Sequence, residues 1–271
     1  EKKLSWYRSF IVIMMWEFAS ALSPGVVGGA AVAMFILNRE QIPMGRATAL
    51  VVITAFMDNL FFVLFVPVIA LIVGHSIMFA DFSGKLSGSL VSIFWMGYGL
   101  IVLISLLLFL SLFYYPKLIK NVLLLFAKLP IIRKHKERLS KTGDEIVITS
   151  QEFRGKKKSF WLSVFGATLL SWTGRYLVIN MILAAFLTLG FYEHLVVMAK
   201  QFALWVIMLI SPTPGASGVA EWGFTVMLGG FASSALVISS LAILWRLISY
   251  FPYLFIGSIL MPKWLKGKKK S

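Results

Sequence analysis

Ser211-Pro212-Thr213-Pro214-Gly215-Ala216-Ser217-Gly218-Val219-Ala220-Glu221 interrupts an otherwise apolar stretch, 195–229. Proline lacks a backbone N–H and disfavours helix at the residue before it, so this run splits the stretch into two shorter helices. A second interruption, Ser23-Pro24-Gly25, divides the apolar stretch 9–37. At a constant offset, Ser23-Pro24-Gly25-Val26-Val27-Gly28-Gly29-Ala30 lines up with Thr213-Pro214-Gly215-Ala216-Ser217-Gly218-Val219-Ala220, and Pro, Gly, Gly and Ala coincide. Each copy is followed by a half-helix, a short loop and a long apolar span, the mark of an internal repeat.

Four uninterrupted apolar stretches, 47–74, 88–113, 160–189 and 232–260, are longer than the about 20 residues a membrane span requires, which predicts tilt or kinks. The composition agrees. Of 271 residues 59% are hydrophobic and 14% charged, yet the net charge is +15. An ordinary soluble domain has about 25% charged residues, and a disordered chain is far less apolar. The surplus charge is not spread out. Residues 114–159 carry twelve Lys/Arg against four Asp/Glu, and residues 262–271 carry five Lys and no acid, so 13 of the 15 net charges flank apolar stretches. A nucleic-acid footprint spreads over a folded surface, whereas basic loops beside apolar spans follow the positive-inside rule. The reading is an all-α polytopic membrane bundle with no nucleic-acid partner. The chain begins at Glu1, shows no cleavable signal peptide, and so gives a minimum span count.

Placing both basic segments in the cytoplasm makes 88–113 run inward, 160–189 outward and 232–260 inward. The broken stretch 9–37 then starts and finishes inside, and 195–229 starts and finishes outside. Two broken hairpins entering from opposite faces form an inverted repeat. Two full crossings per broken stretch satisfy the same charges, but halves shorter than a comfortable span favour re-entry. The chain divides into a first transmembrane repeat (1–113), a cytoplasmic segment (114–159), a second repeat (160–261) and a basic cytoplasmic tail (262–271). Within 114–159, Leu118, Ile119, Val122, Leu125, Phe126, Leu129 and Ile132 lie at helical spacing among lysines. This predicts a helix over 117–139 in the membrane interface, bent or ended at Pro130. Residues 140–158 read as a flexible polar linker ending in Lys156-Lys157-Lys158, a place for anionic lipid headgroups.

Charge inside a span costs several kcal/mol on most scales and needs a reason. The residues concerned are Glu17, Asp58, Arg175, Glu221 and Arg246, with Asn59 beside Asp58 and Asn180 near Arg175. They either form ion pairs that hold the bundle together or line a polar cavity at the midplane. The two readings overlap, since a cavity also needs neutralised walls. The broken helices favour the cavity. A half-helix beginning after Pro24-Gly25 or Pro214-Gly215 presents unpaired N–H groups at its positive end. Gly25, Gly28, Gly215 and Gly218 let a ligand approach the backbone, and Arg175 or Arg246 offers a bidentate fork for an anion. There is no cysteine, so thiolate metal sites and disulfides are excluded. His75, His135 and His194 fall in expected loops or the interfacial segment and offer neither a metal cluster nor a catalytic triad. Ser211 beside Pro212 fits a helix break better than a nucleophile. No cofactor or metal is expected, and the chain does not read as an enzyme.

The run from Pro212 to Glu221, followed by Arg246 and Gly257, resembles the lysylphosphatidylglycerol synthase transmembrane family, also called flippase-like membrane proteins. Ser23-Pro24-Gly25-Val26-Val27-Gly28 with Ile42-Pro43, Arg46-Ala47 and Asp58 is similar to that family's first repeat, and the resemblance covers essentially the whole chain. It implies a flippase domain in the bacterial cytoplasmic membrane, moving a phospholipid or a related anionic or zwitterionic lipid between leaflets. No synthase domain fits in this chain, so the synthase activity of fused members is not carried over. The first motif departs from the family pattern: Val26, Val27, Gly29 and Ala30 stand where an Arg and an acidic residue are common, which leaves that hairpin its backbone N–H groups. The residues expected to bind substrate are Pro24, Gly25, Gly28, Asp58, Arg175, Pro214, Gly215, Gly218, Glu221 and Arg246. Glu17, Asp58 and Glu221 are candidates for carrying a coupling proton. No Gly-x-x-x-x-Gly-Lys-Ser/Thr loop is present to support a nucleotide motor. Alternatives are a transporter of a small anionic or polar solute and a scaffold for a lipid- or glycan-synthesis enzyme docked on 114–159. The expected partners are membrane lipids, with a homo-oligomer compatible with the sequence.

Overall fold

The computed structural model describes residues 4–23, 27–80, 85–115, 117–126, 136–209 and 211–267, and among these the regular elements are helices. In chain order they are α1 (Trp6–Leu22), α2 (Val27–Arg39), α3 (Met44–Val73), α4 (His75–Met78), α5 (Lys85–Phe113) and α6 (Lys117–Phe126). Then follow α7 (Lys136–Arg154), α8 (Lys158–Phe186), α9 (Phe191–Leu209), α10 (Val219–Leu228), a 3-10 turn (Gly229–Phe231), α11 (Ala235–Ser249) and α12 (Phe251–Gly267). Five segments, Met44–Val73, Gly88–Phe113, Lys158–Phe186, Phe191–Leu209 and Ala235–Lys266, are long and apolar enough to cross a membrane.

Both broken stretches divide where the prolines stand. Ser5 caps α1 by accepting from the Arg8 N–H, and the helix ends at Ser23, whose N–H reaches the Ala19 and Ser20 carbonyls. Pro24 and Gly25 lie outside the described residues; α2 resumes at Val27 and carries Gly28 in its first turn. At the second break α9 ends at Leu209 and α10 begins at Val219. The two halves are not equally short. α9 has 19 residues, against the short half expected, because Phe191-Tyr192-Glu193-His194 supplies a first turn ahead of the apolar window, with Glu193 at its positive end. His194 is therefore helical rather than in a loop. The stretch expected as one span, 232–260, bends at Tyr250, since Pro252 cannot donate to the Ile248 carbonyl and helix α12 starts afresh.

The main core gathers the aromatic side chains of α3, α8 and α9. Phe62, with no exposed surface, stacks on Trp205 with ring centroids 3.5 Å apart, and Phe61, Trp172, Tyr176 and Phe202 surround them. A second cluster joins α1, α2 and the start of α3 through Met15, Ala33, Ile36 and Ala47. Leu71, Leu162, Leu170 and Leu236 point outward, the pattern of a surface solvated by hydrocarbon rather than water.

Residues 140–158 do not form a flexible linker. Helix α7 runs to Arg154, packs on α6, and seats Phe153 in a cluster with Ile53, Phe56, Met57 and Leu112. Its acidic residues hold it there. Pro43 at the N-cap of α3 brings no capping side chain, so the Gly45 N–H donates to Glu145 Oε2 at 2.8 Å, a cap supplied from another helix. Glu152 pairs with Arg46 at 3.3 Å. A linker reading failed because Glu145, Thr149, Glu152 and Phe153 share a face that only becomes useful once α3 stands beside it.

The described parts of both basic segments lie at one end of the bundle. The first touches Gly45 and Arg46, and the C-terminal helix touches the preceding turn. There Trp264 Nε1 donates to Glu40 Oε1 at 2.7 Å and Arg39 donates to the Leu265 carbonyl at 2.6 Å. Arg8 also lies 3.7 Å from Glu40, so the first hairpin begins and finishes at this same end.

Gly45→Ala places a Cβ 2.0 Å from the Glu145 Cβ, so α7 must lift from α3. This variant and Glu145→Ala each cost about 1–2 kcal/mol, the value of a helix cap. Thermal unfolding in detergent reads the loss, and trypsin cleaves faster at Arg154 and Lys156.

Candidate functional site

The second Pro-Gly turn is built from residues that lack a helical partner for their polar groups and find one locally. Ser211 and Thr213 hydroxyls lie 2.9 Å apart, Thr213 Oγ1 donates to the Ser217 carbonyl at 2.9 Å, and Ser217 Oγ donates to the Pro214 carbonyl at 3.0 Å. Gly215, Ala216 and Gly218 adopt φ of 57°, 53° and 87°. That left-handed backbone favours glycine and turns the chain into α10. The positive end of α10 is not left open for a foreign anion. Glu221, three residues into the helix, folds back so that Oε2 accepts from the Gly218 N–H at 2.6 Å. Glycine has no side chain to return the favour, so this is half of a capping box.

Arg246 then binds that carboxylate. Its Nε lies 2.7 Å from Glu221 Oε1, while Nη2 donates to the Gly215 carbonyl at 2.9 Å and to Ser217 Oγ at 3.2 Å. The guanidinium also lies 3.9 Å from the centroid of the Tyr250 ring. Its side chain is 6% exposed, so this charge is buried with its partners around it. The expected bare anion site at the half-helix terminus is thus filled by the protein's own carboxylate. The Glu221 carboxylate takes the Gly218 N–H and the Arg246 Nε together.

Glu17, Asp58 and Arg175 form a second group. Arg175 donates to Glu17 at 2.5 Å, joining α8 to α1. Asp58 stands at the midpoint of the 30-residue helix α3, accepts from Trp172 Nε1 at 2.8 Å, and lies within electrostatic range of both Arg175 and Glu17. The Arg175 guanidinium sits 5.3 Å from the Trp172 ring, and 42% of its side chain is exposed. The sequence points to one constellation; the fold makes two, linked through α1 and the bend between α11 and α12. Glu17 belongs to the second group, and the Ala21 carbonyl one turn on accepts from Tyr250, beside Arg246 of the first group, at 3.0 Å.

Three further polar side chains, Lys200, Asn180 and Tyr250, take positions that the sequence pattern does not assign. Lys200, at the centre of α9 and 5% exposed, adds a sixth intramembrane charge and lies 5.3 Å from the Phe231 ring. It was visible as a charge within 195–229. Asn180 stands near Arg175 in the sequence but clasps α9: it accepts from Gln201 Nε2 at 2.8 Å and donates to the His194 carbonyl at 2.9 Å. Tyr250 carried no sequence signal beyond standing near Pro252. In the 114–159 segment, Lys117, Lys120, Asn121 and Asp144 line a surface pocket, with Lys120 paired to Asp144 at 2.5 Å.

Apolar helices of membrane-crossing length, an outward-facing apolar surface and paired charges at the middle of the spans define an integral membrane protein of the polytopic all-α class. Residues 1–257 match the family described as the lysylphosphatidylglycerol synthase TM region, and the chain belongs to it. It is also 24% identical over 272 residues to a UPF0104 membrane protein of Archaeoglobus fulgidus, covering 95% of this chain and 76% of that relative. No solved structure matches.

Removing one partner of a buried ion pair costs more than removing both, because the survivor is left desolvated. Glu221→Gln and Arg246→Met each destabilise by about 2–4 kcal/mol, and the double variant by less than their sum. A double-mutant cycle on unfolding in detergent measures the difference.

Proposed function

We propose that this chain carries a phospholipid, or a related anionic or zwitterionic lipid, between the leaflets of a cytoplasmic membrane. The observation that carries the reading is Arg175, charged, 42% exposed and near the middle of a 29-residue apolar helix. A half-exposed guanidinium at that depth is untenable against hydrocarbon alone and calls for a polar path beside it. Glu17 holds that guanidinium across a seam between α1 and α8, whose main neighbours are otherwise different helices: α2 and α12 for the first, α3, α9 and α11 for the second. A lipid has to enter sideways, with its headgroup in the protein and its chains in the bilayer, and an ion-paired seam suits that route.

The packing supports the inverted repeat on which such a path depends. The first helix of each broken pair leans on the other half: α1 on α12, and α9 on α3. Arg8 and Glu40 bring the first hairpin back to its starting end, in keeping with re-entry. Both basic segments at that same end are in keeping with a cytoplasmic face rich in anionic headgroups. Glu17, Asp58 and Glu221 are the acids placed to take up a coupling proton, since each already serves a cation or donor that proton uptake would release. The chain acts here as a transport domain without a chemical step.

The test uses vesicles of phosphatidylglycerol and phosphatidylethanolamine carrying trace fluorescent analogues of each, with the outer leaflet bleached by dithionite. The unaltered chain exposes inner-leaflet probe, and Arg175→Ala and Arg246→Ala slow exposure by about tenfold or more, the loss of one charge-assisted hydrogen bond. Probe that stays in place for both headgroups, with radiolabelled sulfate taken up instead, replaces this reading by solute transport.

A further inference from the structure

Tyr250 reaches from the second Pro-Gly turn to the last turn of α1. On one side its ring packs against the second turn: a Cβ on Gly215 would lie 2.3 Å from the Tyr250 Cε2, so only glycine leaves room for the ring. The opposing charge of the turn, Arg246, lies 3.9 Å from the ring centroid. On the other side the Tyr250 hydroxyl donates to the Ala21 carbonyl at 3.0 Å. That carbonyl belongs to the last turn of α1, where helix geometry leaves acceptors unsatisfied, three residues ahead of Pro24 in the sequence. Tyr250 itself is the single non-helical residue between α11 and α12, with φ −120° and ψ −54°, ahead of Pro252. It therefore sits on the bend of the long C-terminal span and is the residue whose backbone must change when that bend opens or straightens.

We infer that Tyr250 is a strap: it holds the two broken hairpins together in the state seen here, positions Arg246 against Gly215 and Glu221, and must release Ala21 for the path between the hairpins to open. This rests on the transport reading above and adds the conformational step that gates it. Three physical features support a releasable strap rather than a permanent brace. The link to Ala21 is one neutral hydrogen bond, weak enough to exchange thermally. It joins elements remote in sequence, α1 and the α11–α12 bend, so breaking it needs no helix to unwind. And the neighbouring contact of α1 on α12, Phe18 over Gly257, is apolar.

The chain has no cysteine, so spin labels can be placed at will. Leu22→Cys at the end of α1 and Trp222→Cys in α10 are exposed positions outside both charged groups. Double electron–electron resonance on this labelled pair in phosphatidylglycerol vesicles reads the separation of the two hairpins directly. Tyr250→Phe keeps the ring and its cation contact but removes the hydroxyl. It is expected to raise the long-distance population by about two- to tenfold, the worth of one neutral hydrogen bond, and to speed lipid exchange by a similar factor. Tyr250→Leu removes the ring as well and is expected to widen the distance distribution further while slowing exchange, because Arg246 loses its support. A Tyr250→Phe distribution that superimposes on that of the unaltered chain overturns the strap, whatever the exchange rate. A shifted distribution in a chain that moves no fluorescent lipid upholds the strap and overturns the transport reading instead.

Discussion

Arg246 is the interaction on which the second half of the molecule depends. A guanidinium near mid-depth has five N–H donors and no water of the bulk kind to satisfy them. The fold answers by breaking a helix beside it. The Pro212–Pro214 run frees backbone carbonyls that a continuous helix would have consumed, and the Gly215 carbonyl, the Ser217 hydroxyl and the Glu221 carboxylate converge on the charge. In turn Arg246 holds Glu221 over the start of α10, where that carboxylate replaces the missing helical acceptor for Gly218. A broken helix and a buried charge are each costly in hydrocarbon, and here each relieves the other.

The same economy of partners runs through the rest of the bundle. The start of α3 lacks a capping side chain of its own and takes Glu145 from α7. The last turn of α1 has spare carbonyls and takes the Tyr250 hydroxyl. Asp58 is held by Trp172, and Asn180 joins α8 to α9 through both ends of its amide. Beyond their share of stability, polar groups at these positions fix which helix stands beside which, since apolar faces alone pack in many registers. The core aromatic stack around Phe62 and Trp205 supplies bulk; the polar clasps choose its arrangement.

Much of the architecture is legible in the chain itself. The 13 net charges at two segments foretold that those segments share an end of the bundle, because a run of lysines resists burial in hydrocarbon wherever it lies. Proline marked both helix breaks, and membership of the family follows from the second motif and from the match over residues 1–257. Other features were beyond local pattern. The polar run 140–154 looked like a linker because its sequence has no apolar stripe strong enough to announce a helix, yet Phe153 and Glu145 find α3 and α5 in three dimensions. Tyr250 has no spacing or charge to draw attention, and its hydroxyl meets the Ala21 carbonyl across 229 residues of chain.

The sequence by itself determined that this is a helical membrane protein, where its helices break, which end gathers the basic residues, and which charges need explaining. Those properties follow from transfer free energies and backbone chemistry, which act residue by residue. Only the tertiary structure decided that the charges divide into two groups, that Glu221 takes up the Gly218 N–H at the start of α10, and that Tyr250 joins the second turn to the last turn of α1. These are properties of pairing, and a charge or hydroxyl acquires its partner only when distant helices are brought to within about 3 Å.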